Sequence, residues 1–165
     1  MQILHVEAVY RFSEVCHQSG ALQFVNCIKS SYDGVVHKIY KHLVCTTPNV
    51  IYHIKCACAV RGEPSCYVGS TTDMKARWSQ HKTDIRHGHW TACGLTRHFG
   101  QYHRQDMEAS IAKLEVTLID YCENERDLKR VEDHWMCNLG TLFIGGGLNT
   151  RNEVVNNTRR NFGRS

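Results

Sequence analysis

The sequence predicts a single α/β domain, with a small, mostly antiparallel three-stranded sheet flanked by helices. Two observations support this class. A chain of 165 residues supports one hydrophobic core, and its composition, 42% hydrophobic and 22% charged, is typical of a globular protein. The apolar periodicity switches between helical and alternating patterns along the chain. We divide it into a helical N-terminal appendage (1–46), a main domain (47–150) and a basic C-terminal tail (151–165).

The N-terminal appendage is predicted to contain two helices. Apolar residues recur there at helical spacing, and a polar turn around Ser30, Asp33 and Gly34 separates the two runs. The first run ends at Ile28 and the second begins at Val36. Their apolar positions are Val15, Leu22, Val25 and Ile28, then Val36, Ile39, Tyr40 and Leu43.

The main domain is predicted to begin with a β-hairpin over residues 50–69. Pro48 and Asn49 end the helical pattern, and the β-branched and aromatic stretch "NVIYHIKC" is suited to a strand. The stretch "ACAVRGEPS" contains a cluster of turn residues and predicts a loop. "CYVG" then predicts the second strand.

Helices and one further strand follow the hairpin. Ser70 with Asp73 predicts a helix start, and that helix carries an apolar stripe through Trp78 to Gly88. A second helix is predicted over 92–102. "AKLEVTLID" alternates like a half-buried strand, and Asn124 is a candidate cap for a last helix. The stripe of that last helix is Leu128, Val131, Trp135 and Leu139.

Arg77 and His81 are unexpected on the first of these helices. They lie one turn apart beside its apolar stripe, so both should project over the sheet. A buried guanidinium needs an anion, which is either a permanent carboxylate or a phosphate ligand. The structural alternative is an arginine that extends to solvent and a histidine bonded to a carbonyl group.

Three more polar side chains favour a catalytic site. Tyr52 and Tyr67 lie on the two arms of the hairpin, and Glu132 borders the apolar stripe of the last helix. Phenol, guanidinium, imidazole and carboxylate can together hydrolyse a phosphodiester, with the carboxylate holding a hard divalent cation. We expect these groups to meet in a single pocket.

These residues resemble the GIY-YIG nuclease family over about residues 49–150. The resemblance rests on "VIY" at 50–52, "YVG" at 67–69, Arg77, His81, Glu132 and "GLN" at 147–149, in that order. Val50 stands where the family has its first glycine, and Val68 replaces isoleucine. Neither change removes a reactive group.

The resemblance implies metal-dependent hydrolysis of DNA, leaving 5′-phosphate and 3′-hydroxyl ends. By position, Tyr52 is the general base or water-positioning group, and Tyr67 is its partner. Arg77 contacts the phosphate in the transition state, and His81 relays a proton or binds phosphate. Glu132 binds the single Mg²⁺ or Mn²⁺, and Asn149 is a supporting polar group.

A second cluster predicts a structural zinc site. Cys56 and Cys58 lie at the end of the first hairpin strand, and His98 and His103 follow downstream at a usual ligand spacing. Because the Cys-x-Cys gap is tight, Cys66 is an alternative ligand to Cys58. The structural alternative is that the cysteines pack as small apolar residues and the histidines lie at the surface.

A cysteine pair between the two tyrosine motifs, followed by a histidine pair, is similar to the endonuclease domain of Penelope-like retroelements. This resemblance implies a reverse transcriptase or a larger polyprotein as partner, and nuclear localisation in a eukaryotic host. The hairpin stretch "AVRGEPS" departs from it as an insertion, and the chain contains no reverse-transcriptase region.

Basic residues are expected to hold DNA phosphates: Lys75, Lys82 and Arg86 on the first helix, and Arg159 and Arg160 in the tail.

Nine cysteines, no signal-peptide pattern and no apolar run of ~18 residues predict an intracellular protein without a membrane span. Two other hypotheses stay open: a non-catalytic zinc-bearing DNA-binding module in which Glu132 pairs with Arg77, and a free-standing homing or restriction-type nuclease. Sequence patterns indicate no oligomeric state.

Overall fold

The computed structural model describes residues 27–30, 32–39, 43–60, 63–142 and 147–150. A 3₁₀ turn, Glu125–Asp127, precedes the last helix. The strands are β1 (Cys27–Lys29), β2 (Val36–Lys38), β3 (Val50–Val60), β4 (Glu63–Thr71) and β5 (Glu115–Tyr121). The helices are α1 (Met74–Arg86), α2 (Gly94–Tyr102), α3 (Met107–Ala112) and α4 (Leu128–Asn138).

The main sheet has three antiparallel strands in the order β4-β3-β5, which confirms the predicted fold class. The hairpin is longer than predicted, because β3 and β4 continue into the stretch that was expected to be a loop. An irregularity between Cys56 and Ala59 shifts the register within that extension. β3 is central, so β4 lies at one edge of the sheet.

The two faces of the sheet have separate cores. Tyr52, Ile54 and Val116 face α1 and α2, where they pack with Trp78 and Phe99. Since side chains alternate along a strand, the residues between them point the other way. Ile51, Val68 and Ile119 accordingly pack against α4, with Leu128, Trp135, Met136 and Leu139.

The predicted N-terminal helices are wrong where the structure describes them. β1 and β2 form a two-stranded antiparallel sheet with Ile28 opposite His37. The polar turn between them is tight: Ser30 N–H donates to the Val35 carbonyl over 2.8 Å, and Gly34 has a φ of +73°. Ile28 and Ile39 are buried in the core that faces α4, so tertiary burial outweighs the helical spacing. Of the other predicted apolar positions, Val36 begins β2 and Leu43 lies outside any helix, whereas residues 15, 22, 25 and 40 lie outside the described residues.

α1 begins three residues later than the Ser70 signal predicted. Asp73 is its N-cap, accepting from Ala76 N–H at 3.0 Å, whereas Ser70 still belongs to β4. α2 and the predicted 92–102 helix agree to within two residues. Asn124 is the N-cap residue of the short 3₁₀ turn, without a side-chain capping bond. The N-cap residue of α4 is Asp127, so the prediction that Asn124 caps the last helix is wrong.

The "GLN" segment lies beside the edge strand β4. Gly147 bridges to Cys66, and Leu148 N–H donates to the Cys66 carbonyl at 2.8 Å. A Cβ on Gly147 would overlap the backbone of Thr141 and Leu142, so only glycine fits there. This segment covers part of the otherwise open edge of β4.

In the described ranges, no helix is both long enough and apolar enough to cross a bilayer.

Candidate active site and metal centre

The hairpin places the two tyrosines on one face of the sheet. Tyr52 lies opposite Gly69 and Tyr67 lies opposite Ile54, so the phenols are diagonal neighbours. Their ring centroids are 6.4 Å apart, and each ring lies 5.8 Å from the imidazole of His81. The predicted convergence of these three side chains is confirmed.

Arg77 and His81 both bond the Tyr52 hydroxyl. Arg77 Nε donates to the hydroxyl oxygen at 3.2 Å, and His81 Nε2 lies 2.8 Å from the same oxygen. Helix α1 brings both groups inward because they are one turn apart on the side that packs on the sheet. His81 is almost fully buried, and Arg77 is half-buried. The hypothesis of an arginine that only extends past the core to solvent is therefore wrong.

Burial sets the protonation states of this group. Burial raises the pKa of Tyr52 to about 12, although the positive charge of Arg77 opposes that rise. Burial, together with Arg77, lowers the pKa of His81 to about 3. At neutral pH the resting site therefore contains a neutral phenol, a neutral imidazole and a cationic guanidinium.

Glu132 approaches from the other side of the sheet. α4 packs on the opposite face, and Glu132 reaches the edge strand, where it accepts a hydrogen bond from the Ser70 hydroxyl. The Lys129 ammonium lies 2.8 Å from its other oxygen. Ser70 follows Gly69 directly, and the Glu132 charge contributes to the raised pKa of Tyr52.

The expectation of one common pocket is thus confirmed only in part. Tyr52, Arg77 and His81 are in direct contact, whereas the carboxylate lies at the edge of the hairpin. Among the described residues, Glu132 pairs with Lys129, so its postulated pairing with Arg77 is wrong. Lys129 and Ser70 were missed as neighbours of Glu132. The spacing of three residues between Lys129 and Glu132 was the available signal for that pair.

Asn149 has a structural position. It is fully buried; its Oδ1 accepts from Val68 N–H at 2.8 Å, and its Nδ2 donates to the Val68 carbonyl at 2.8 Å. These two bonds fix the "GLN" segment to β4 between Tyr67 and Gly69. The Asn149 side chain therefore supports the hairpin by binding the backbone of Val68 in β4.

The predicted basic residues on α1 differ in their surroundings. Lys75 is exposed, and Lys82 Nζ lies 5.8 Å from the ring centroid of Trp78. Arg86 is occupied by Glu108 in a bidentate pair, with distances of 2.7 and 2.8 Å. Arg159 and Arg160 lie outside the described residues. Among the described residues, Lys75 and Lys82 have no carboxylate partner of this kind.

The structure assembles the four predicted metal ligands. The ligand atoms of Cys56, Cys58, His98 and His103 all lie within 4.8 Å of one another. The two sulfur atoms are 3.1 Å apart, and Cys58 Sγ lies 3.0 Å from His98 Nε2 and 3.3 Å from His103 Nε2. Tetrahedral zinc ligands are separated by about 3.3 to 3.8 Å. The distances here lie at or somewhat below that range, so two cysteines and two histidines form a donor set close to a tetrahedral zinc site.

Neighbouring groups orient the ring of His103, and burial keeps His98 neutral, as metal binding requires. The Ser110 hydroxyl and Asp106 lie 2.9 and 3.4 Å from His103 Nδ1, which leaves Nε2 directed at the sulfurs. Burial lowers the pKa of His98 to about 4, so its imidazole is neutral as a ligand must be. The cluster includes Cys58 rather than Cys66, and the hypothesis of surface histidines is wrong because His98 and His103 are buried.

Comparison with known proteins agrees with this geometry. A scan against protein-family models matches residues 48–141 to the GIY-YIG catalytic domain, which is more than half of the chain. The chain belongs to the GIY-YIG family. Comparisons with curated proteins and with solved structures found no match. Family membership supports an endonuclease function in general terms.

Proposed function

We propose that this protein is a divalent-metal-dependent DNA endonuclease, and that Tyr52, Tyr67, Arg77, His81 and Glu132 form its catalytic site. The observation that carries the proposal is the Tyr52 hydroxyl, held between a donor on Arg77 and the ring nitrogen of His81 in a chain of this family. The reaction is hydrolysis of a phosphodiester to a 5′-phosphate and a 3′-hydroxyl.

The hydrogen bonds define a direction for proton transfer. The buried Tyr52 O–H needs an acceptor, and of the two described partners of the hydroxyl only His81 Nε2 can be one, because Arg77 Nε–H is a donor. As a water molecule attacks phosphorus, its proton passes to the Tyr52 oxygen while the phenolic proton passes to His81. The imidazole is neutral in the resting site and so has a free lone pair, but its low pKa makes it a weak base until nearby negative charge raises that pKa.

Arg77 supplies the positive charge of the site. Its Nε is bound to Tyr52, which leaves the terminal nitrogens of the guanidinium for phosphate oxygens. Negative charge brought by the phosphate would also stabilise the imidazolium of His81. Tyr67 borders both His81 and Tyr52 and can orient the attacking water.

The residues present fit one hard cation at Glu132. The carboxylate is largely buried, adjoins the Ser70 hydroxyl, and currently has the Lys129 ammonium as its positive partner. Bound there, Mg²⁺ or Mn²⁺ would neutralise the leaving oxygen. Glu132 and Ser70 would hold the ion, and Lys129 would shift toward Asp133, which it already contacts at 2.8 Å.

Zinc at the Cys56 cluster is proposed as a structural ion. The cysteines lie on β3 beyond Tyr52, and the histidines lie on and directly after α2. The ion would therefore tie the catalytic hairpin to a helix. Lys75 and Lys82 are proposed to contact DNA phosphates, and Arg159 and Arg160 stay candidates for the same role.

A role in retroelement integration, with a reverse transcriptase partner and a nuclear location, is the more specific form of this proposal. It rests on the cysteine and histidine spacing, whose four ligands meet in the structure. A free-standing homing or restriction-type nuclease uses the same chemistry and differs only in its biological context.

The test is cleavage of supercoiled plasmid by the full chain, with and without Mg²⁺, alongside Arg77→Ala. We expect metal-dependent cleavage that Arg77→Ala reduces by about 10³-fold, since one transition-state contact is lost. Arg97→Ala removes an exposed arginine from α2 and is the charge-matched control. Intact plasmid under every condition, with DNA binding retained, would instead favour the non-catalytic module.

A further inference from the structure

The tautomer of His81 follows from its contact with Tyr52. The buried hydroxyl proton of Tyr52 needs an acceptor, and of its two described partners only Nε2 can accept it, because Arg77 Nε–H is a donor. Nε2 must then carry a lone pair. Since burial keeps the ring neutral at physiological pH, the one ring proton lies on Nδ1.

The Nδ1 side of His81 faces Cys93. The Cys93 sulfur lies 3.9 Å from Nδ1, within the range of a long N–H···S hydrogen bond, and both residues are buried. Asp84 also acts on His81 through its charge; its Oδ1 accepts from Gln80 at 2.8 Å and lies 3.0 Å from His89 Nδ1, and among the described residues no hydrogen bond joins this carboxylate to the His81 ring. The sulfur is therefore the acceptor placed to receive the Nδ1 proton.

The backbone of Cys93 is fixed by helix α2. Cys93 is the N-cap residue, its N–H donates to the Thr96 hydroxyl at 3.1 Å, and the same hydroxyl donates to the Cys93 carbonyl at 2.8 Å. Gly94 follows, in contact with the Leu148 backbone, so no larger residue fits there. These contacts hold the thiol at a defined position beside the imidazole.

We propose that Cys93 is a positioning residue that holds His81 in its Nδ1-protonated tautomer and so keeps Nε2 ready to accept the Tyr52 proton. This inference rests on the proposed function, because the tautomer matters only if His81 takes part in proton transfer. Cys93 touches His81 and acts through it; it contacts no reacting atom in this role.

The experiment compares the full-length protein with Cys93→Ala and Cys93→Ser. Long-range proton–nitrogen NMR on ¹⁵N-histidine protein reports which ring nitrogen is protonated, and the His81 signal is assigned by its loss in His81→Gln. Plasmid cleavage gives kcat and KM for the same samples. Cys122→Ala, which removes a buried thiol from the core that faces α4, is the matched control.

We expect an Nδ1-protonated His81 in the wild type and in Cys122→Ala. Cys93→Ala should shift the ring toward the other tautomer and lower kcat by about tenfold with little change in KM. Cys93→Ser keeps an acceptor and should restore part of both properties. Thermal unfolding of each variant shows whether a lower rate reflects loss of folded protein.

Two results would overturn the inference: an Nε2-protonated His81 in the wild type, or a Cys93→Ala variant whose tautomer and kcat are both unchanged. If the tautomer shifts in Cys93→Ala but the wild type cleaves no DNA, the proposed function is refuted and the Cys93–His81 contact stays supported.

Discussion

Gly69 and Tyr52 are paired across the hairpin so closely that a Cβ on Gly69 would overlap the Tyr52 hydroxyl. The phenol therefore lies over the glycine backbone, and this is the position from which it reaches His81 and Arg77. The glycine of "YVG" thus provides space for the proposed catalytic group.

Gly69→Ala is expected to displace the Tyr52 hydroxyl, lower cleavage by at least about tenfold, and cost about 1 to 3 kcal/mol of stability through overpacking. Chemical denaturation and plasmid cleavage measure the two effects. In Tyr52→Ala the same glycine substitution should cost much less, because the clashing group is gone. Equal costs in both backgrounds would show that the overlap is not the cause.

Glu132→Gln should abolish metal-dependent cleavage while DNA binding is retained. The amide keeps the shape of the side chain but cannot provide the negative charge that a divalent cation needs. Gel-shift affinity and plasmid cleavage are the measurements, with Asp127→Asn, a more exposed carboxylate just before α4, as control. Undiminished cleavage by Glu132→Gln would remove this residue from the site.

Asn149→Ala should destabilise the fold by about 2 to 4 kcal/mol. It removes two buried hydrogen bonds and leaves the Val68 backbone groups without these partners. Asn138→Ala, which loses an exposed contact to His134, should cost less than about 0.5 kcal/mol. Denaturant unfolding of the two variants gives the comparison; similar costs would argue against the clamp on β4.

Cys58→Ser is expected to lose bound zinc, with a large fall in thermal stability, whereas Cys66→Ser should keep the metal. The reason is that the ligand atoms of Cys58, and not those of Cys66, lie within the four-residue cluster. Metal content by mass spectrometry and unfolding with and without chelator test this. Zinc retained in Cys58→Ser and lost in Cys66→Ser would reverse the assignment.

Stability should fall as the pH drops below the ordinary histidine pKa of 6.5. Burial, with a smaller contribution from Lys55, lowers the pKa of His53 to about 4. Between this value and 6.5 the unfolded chain therefore binds a proton that the folded chain does not. His53 therefore leaves the free energy of unfolding unchanged above pH 6.5. Between pH 6.5 and about 4 it lowers that free energy by up to ~1.4 kcal/mol for each pH unit.

Denaturant unfolding at a series of pH values measures this slope, and His53→Gln should make it shallower. His53 points to the face of the sheet opposite Tyr52, so the variant tests the linkage without altering the tyrosine site. An unchanged slope would show that other groups dominate the acid sensitivity.

The sequence predicts the sheet and the group around Tyr52 well because local patterns encode them. Alternation defines the hairpin, and the spacing of one turn brings Arg77 and His81 to the same tyrosine. The N-terminal strands were missed because a helical spacing of apolar residues also fits two short strands whose burial depends on a distant core. Two features could not be predicted: the side of the sheet from which Glu132 approaches, and the proximity of Cys93 to His81. Both result from packing between distant segments, and no local sequence pattern encodes them.

Helix α2 contacts both sites with its two ends. Cys93 before its first residue touches His81, and His103 after its last residue belongs to the cysteine and histidine cluster. Its nine residues span about 13 Å, so the helix acts as a spacer of fixed length between them. Inserting or deleting one residue in α2 would rotate one end by about 100° relative to the other. Length variation there should therefore damage both sites together.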